Sequence, residues 1–253
     1  MRQGFMNDQA NTHHWRGDET PVVVPAVLPR RWEDVASAAR AIAGAAPRLQ
    51  VDVVDGVCGK ETTWPILGGE HWDLLAREEE GLPLWKALDY EVDLIVRGEI
   101  LEEWARGWTR AGAASIIFHP YCAGGAVESL VPLIEEVKEQ GLEIGIGVRP
   151  SEDVGAYAPL FVRADFVQIM GNDIVGAQGL PLMLSEACAQ CARVREAFSG
   201  PIGIDIGVNR DTLKRLAACG FCRFAVGSAI LKADDPKKAY KELVVLARER
   251  LGG

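Results

Sequence analysis

The 253-residue chain is short of positive charge, with 27 lysines and arginines against 36 aspartates and glutamates and a formal net charge of −9. That balance argues against a surface for nucleic acid or anionic membrane, and any anionic ligand must be held by local features. Long apolar runs are missing too, so no bilayer-spanning helix is expected. The polar start, MRQGFMNDQANTHHWRGDET, lacks the apolar core of a signal peptide. A cytoplasmic protein is expected. A glycine-rich nucleotide fingerprint is also absent after the first strand-like run, where Pro25-Ala26-Val27-Leu28-Pro29 stands instead.

What is present is apolar and regularly spaced. With 48% hydrophobic residues the chain can bury one large core. Residues 1–20 read as a mobile polar arm, in which His13 and His14 are solvated rather than metal-bound. From Pro21 onward, strand-like runs occur at Val22–Val27, Leu49–Val54, Tyr90–Val96, Ser115–Phe118, Glu143–Val148, Phe166–Met170, Ile202–Ile206 and Arg223–Val226. Helical runs separate them: Trp32–Ala45, His71–Leu88, Glu102–Ala111, Glu128–Gln140, Val154–Leu160, Leu182–Phe198, Arg210–Ala218 and Pro236–Leu251. This alternation predicts a single α/β domain over residues 21–253, a (β/α)8 TIM barrel. A doubly wound open sheet is the weaker alternative.

Four of the six cysteines fall in two CxxC pairs, Cys188–Cys191 and Cys219–Cys222. The first lies inside a helical pattern and the second straddles a helix end, whereas zinc-binding pairs usually occupy tight turns. Small apolar core thiols are therefore expected in preference to structural zinc.

Three acids contradict their surroundings. Asp52, Asp93 and Asp205 each stand among branched apolar residues near the end of a strand. An ionised carboxylate buried there without a partner is costly. In such barrels chemistry gathers at the C-terminal strand ends, so three acids at similar depth on converging strands point to a site. Period-two alternation places Gln50 on the face of Asp52, while Asp55, before Gly56, reads as a turn former.

These residues carry a resemblance. Gln50-Val51-Asp52-Val53-Val54-Asp55-Gly56 resembles the His-x-Asp-x-Met-Asp-Gly segment of ribulose-phosphate 3-epimerases, and Asp93-Leu94-Ile95-Val96 resembles their His-Leu-Met-Val. Asp205-Ile206-Gly207-Val208-Asn209 is similar to their Asp-Gly-Gly-Val-Asn, Val226-Gly227-Ser228-Ala229-Ile230 to their Ala-Gly-Ser-Ala-Ile, and Phe118-His119 fits after strand four. The match runs from about Val23 to Leu243. It implies a ribulose-phosphate-binding type of barrel and a homo-oligomer. The implied reaction is inversion at C3 of a keto sugar phosphate. Asp52 and Asp205 exchange protons with the two faces of the substrate, and a divalent metal polarises the carbonyl.

Several positions depart from that pattern. Carried over, the metal set becomes Gln50, Asp52, Asp93 and Asp205, all oxygen donors, which favours Mg²⁺ or Mn²⁺ over Zn²⁺. The phosphate cradle implied by the resemblance comprises Gly176, Ala177, Gly207, Gly227 and Ser228, beside Met170 at the end of strand six. Its loop keeps only Asn172, Gly176 and Gln178 of the family motif, and Asp173 would oppose a phosphate if it pointed inward. Ile206 replaces a glycine, and Ala26 replaces a serine. Arg97 and Arg149 are solvated loop charges or, alternatively, readers of an anionic group. His119 is structural or functional, and Trp64-Pro65 either covers the site or anchors a loop. Related barrels with decarboxylase or aldol-type chemistry need a lysine in an Asp-x-Lys-x-x-Asp strand, absent here. The remaining alternative is a degenerate barrel that binds a sugar phosphate without turnover.

Overall fold

The computed structural model describes residues 21–67 and 81–251. Eight parallel strands close into one barrel in sequence order: β1 (Val22–Val27), β2 (Arg48–Val54), β3 (Asp89–Ile95), β4 (Ser115–Phe118), β5 (Glu143–Val148), β6 (Phe166–Met170), β7 (Ile202–Asp205) and β8 (Arg223–Val226). The strands are branched and apolar, and all but their first or last residues are largely buried, as a parallel sheet covered by helices requires. Outside them lie α1 (Trp32–Ile42), α2 (Gly98–Arg110), α3 (Val131–Glu139), α4 (Ala158–Phe161), α5 (Leu184–Ala197), α6 (Arg210–Ala218), α7 (Ser228–Leu231) and α8 (Pro236–Leu251). The expected barrel is the fold observed.

The expected helix His71–Leu88 is only partly testable, because positions 71–80 lie outside the described residues. Over 82–87 the chain forms turns, not helix, and Leu84 takes a left-handed conformation with φ of 58°. The arm over 1–20, with His13 and His14, also lies outside the described residues. Glu128–Gln140 divides into a 3₁₀ turn (Val127–Leu130) and α3, because Pro132 can sit in the first turn of a helix but not in its interior.

Cysteine corrects another expectation. Cys188 of α5 is bonded to Cys219 at the end of α6, with Cα atoms 5.4 Å apart, and Cys58 is bonded to Cys122, 5.6 Å apart. Only Cys191 and Cys222 are the buried thiols that were expected. The pairing was hidden because the pairing of β6, β7 and β8, not local pattern, brings α5 beside the end of α6.

At the N-terminal end the barrel is plugged by charge. Glu91 of β3 is buried and accepts hydrogen bonds from Arg223 of β8, from Ser115 of β4 at 2.9 Å and from Arg48 of β2 at 3.4 Å. Arg48 also meets Glu143 at 2.5 Å, and the Arg223 guanidinium lies 3.9 Å from the centre of the Phe166 ring. Each buried charge has an opposite partner, the condition under which a buried ion is tolerated.

Candidate active site

The register of the sheet assembles the site. β2 and β3 pair so that Asp52 lies beside Asp93, and β6 and β7 pair so that Met170 lies beside Asp205. Alternation then turns Gln50, Asp52, Asp93 and Asp205 to the same interior. One oxygen of each of the three acids lies within 4.8 Å of the others. Gln50 Nε2 donates to Asp52 Oδ1 at 2.8 Å and to Asp205 Oδ2 at 3.3 Å. Buried Thr63 fixes the backbone below by donating to the Asp52 carbonyl at 2.9 Å and accepting from Val54 N–H at 2.8 Å.

Electrostatically the cluster is unfinished. Burial, then the charges of Asp205 and Asp93, push the Asp52 carboxyl well above the usual range. Burial and Asp93 push Asp205 up to about 7, against the opposing pull of its 2.6 Å bond from Ile206 N–H. Asp93 Oδ2 and Gln50 Oε1 are buried without a hydrogen-bond partner. Converging carboxylates, orphaned oxygens and like-charge repulsion are all features that a divalent cation would relieve, so the donor set fits one.

Asp52 and Asp205 open onto a cavity of about 250 Å³. Met170, Gly176, Ala177, Gly207, Gly227 and Ser228 also line it, which brings the whole candidate phosphate set together. Gln50, Asp93 and His119 lie deeper, behind the wall. Ile206, which lines the cavity and packs against the Ile95, Met170 and Val175 cluster, takes φ of 73°, the left-handed conformation suited to glycine.

Other candidates are placed elsewhere. Arg97 is 44% exposed and 4.0 Å from Asp55, outside the cavity lining. Asp55 forms the expected turn, accepting from Val57 and Cys58 N–H at 2.9 and 2.8 Å. Arg149 pairs with Glu152 at 2.9 Å and lies 4.2 Å from the centre of the Tyr121 ring. Asp173 turns away to bond Ser151 N–H at 3.0 Å and Ser151 Oγ at 2.6 Å, so it does not oppose an anion in the cavity. Trp64 is a packed anchor between Trp32 and Trp108, with ring centres 5.3 and 6.0 Å away.

His119 is fully buried. Its Nε2 bonds Asp93 Oδ1, and its Nδ1 lies 2.7 Å from the Tyr121 hydroxyl. Tyr121 was missed from sequence; the signal was its place two residues after the histidine in His119-Pro120-Tyr121-Cys122. Leu28 and Ile95 were also missed as apolar cavity walls.

The fold and site define an α/β barrel with an acidic centre at its C-terminal mouth. The chain belongs to the ribulose-phosphate 3-epimerase family, whose model matches residues 23–231. It is 27% identical over 230 residues to a ribulose-phosphate 3-epimerase of Mycobacterium tuberculosis, covering 88% of this chain and 91% of that one. Against the Escherichia coli ribulose-phosphate 3-epimerase it is 29% identical over 136 residues, covering 53% and 59%. Among solved structures, a 3-hexulose-6-phosphate synthase from Salmonella typhimurium superposes with a TM-score of 0.65 at 16% identity, covering 90% of this chain and 99% of that one. KGPDC from Streptococcus mutans gives 0.63 at 14% identity, covering 93% and 100%. These structural likenesses show the fold alone.

Proposed function

We propose that the chain is an isomerase that inverts C3 of a keto sugar phosphate, ribulose 5-phosphate, xylulose 5-phosphate or a close analogue. The observation that carries this reading is a pair of acids, Asp52 and Asp205, from well-separated strands of the ring, opening on one cavity. A group that removes a proton must be ionised, and one that returns a proton must hold it. Two carboxylates that open on one cavity can divide these roles, one ionised while the other is protonated, and exchange them with each turnover. Asp52 takes the C3 proton on one face and Asp205 supplies one on the other; the roles exchange in the reverse direction. Backbone groups of Gly176, Ala177, Gly207, Gly227 and Ser228 seat the phosphate, with Met170 packing against the sugar.

Gln50, Asp52, Asp93 and Asp205 would hold a divalent metal, and their oxygen donors favour Mg²⁺ or Mn²⁺ over Zn²⁺. When bound, the ion supplies a Lewis acid for the carbonyl and positive charge against that developing on oxygen.

Incubation with ribulose 5-phosphate in D₂O, with Mn²⁺ or Mg²⁺, tests the reading. Deuterium is expected at C3. Binding without exchange for every keto sugar phosphate tried would leave a non-catalytic barrel instead.

A further inference from the structure

Asp93 is the most enclosed of the three acids, and the groups behind it are built rather than incidental. His119 reaches it from the end of β4 through space that β5 leaves open, since a side chain at Gly147 would overlap the imidazole. The Tyr121 hydroxyl lies 2.7 Å from Nδ1; an ionised Asp93 can only accept, so the tautomer that serves it carries its proton on Nε2 and leaves Nδ1 to accept from the tyrosine. Tyr121 is itself clamped. Arg149 stacks on its ring, Glu152 holds Arg149, and Gln190 Nε2 holds both backbone carbonyls of that pair at 2.9 Å. The next residue, Cys122, is bonded to Cys58. With Oδ1 engaged, Asp93 keeps one oxygen, Oδ2, buried and unpartnered.

We propose that His119 and Tyr121 are positioning residues for the cation, holding Asp93 so that it offers a single oxygen to the metal. The inference rests on the epimerase reading above for the presence of a cation. In many metal centres an imidazole touches the ion and a carboxylate stands behind it to fix its orientation. Here the order is reversed, with a carboxylate inside and an imidazole behind. The ion then meets hard oxygen, while the imidazole sets the direction of that oxygen and tempers its charge. His119 thereby governs which metal the centre selects without ligating it.

Calorimetric titration of metal-free protein with Mn²⁺, and separately with Zn²⁺, tests this, with melting curves recorded alongside. His119→Phe keeps a ring but loses the donor, and is expected to weaken Mn²⁺ binding about 10- to 100-fold. His119→Gln, which keeps an N–H, should recover most of that loss. Tyr121→Phe should cost a few-fold, and all three should change the Zn²⁺-to-Mn²⁺ affinity ratio. A role in folding alone would shift the melting curves and leave that ratio unchanged. If His119→Phe does not fold, Tyr121→Phe decides, since it deletes one hydroxyl; unchanged Mn²⁺ affinity and ratio would overturn the proposal. Mn²⁺ binding lost in Asp93→Asn but kept in His119→Phe would also overturn it, and leave the metal reading standing. Wild-type protein that binds neither Mn²⁺ nor Mg²⁺ would overturn both.

Discussion

Strand β3 carries two buried acids two residues apart on the same inward face, and the barrel treats them in opposite ways. Glu91, toward the N-terminal end, meets two arginines and a serine from three other strands. Asp93, toward the mouth, meets two further carboxylates and a single imidazole, and no arginine or lysine contacts it among the described residues. A buried carboxylate with its countercharge is a structural plug, whereas one surrounded by like charge is unstable unless something else arrives. The difference separates architecture from chemistry within one strand.

Substitution should affect the two ends in opposite ways. At the mouth, Asp52→Asn or Asp205→Asn should lower kcat by about 10³-fold or more, as loss of a proton-transfer group does. The same changes remove repulsion and should raise the melting temperature of metal-free protein. At the base, Glu91→Gln leaves Arg223 buried without its anion and should cost about 3–5 kcal/mol of stability. Its kcat should stay within a few-fold of wild type. Denaturant unfolding and steady-state kinetics on the same three proteins check both halves. A mouth variant that loses stability and keeps turnover would erase the distinction.

A subtler form of the contrast is its response to pH. Asp52 and Asp205 have pKa values raised above those of the unfolded chain, Asp205 to about 7. Between the unfolded value near 4 and about 7, the folded protein holds a proton that the unfolded chain has released. Stability of the metal-free protein is therefore fullest below about pH 4 as far as these groups are concerned. For Asp205 it should fall as pH rises from about 4 to 7, by up to about 1.4 kcal/mol per pH unit, and level off above, with Asp52 adding a loss of the same sign. Saturating Mn²⁺ should flatten or reverse the slope, because the cation favours the ionised acids. Melting curves from pH 5 to 8 with and without Mn²⁺ measure it; a metal-free protein that stabilises over that range would contradict the assignment.

The acids at the mouth were legible in sequence because each is an anomaly: Asp52 among valines, Asp93 beside Leu94, and Asp205 between Ile204 and Ile206. Strand limits were legible for a similar reason, since branched apolar runs end sharply, and β1, β4, β5, β6 and β8 begin and end where expected. The base was opaque. Glu91 and Arg223 are 132 residues apart, and each reads alone as an ordinary surface charge. The Tyr121–His119–Asp93 chain spans two strands and a loop, and the disulfides join elements that meet only through sheet pairing. Local pattern reveals which residues are out of place; partners are set by topology.

Ile206 offers the smallest test and the finest one. The resemblance places a glycine there, and the backbone keeps a glycine-like φ of 73° although the residue is β-branched. An L-residue held in that region costs about 1–2 kcal/mol. The isoleucine offsets part of that by packing beside Met170, Val175 and Ile95 against the cavity. Ile206→Gly relieves the first term and loses the second, so stability should change by less than about 1 kcal/mol. Binding should change more. Removing the side chain widens the cavity beside Gly207 and lets an anion approach the backbone N–H groups, so KM for a sugar phosphate should fall several-fold with kcat nearly constant. If KM rises instead, Ile206 contributes apolar contact to the substrate, and the mouth is shaped for a less polar ligand than the family resemblance implies.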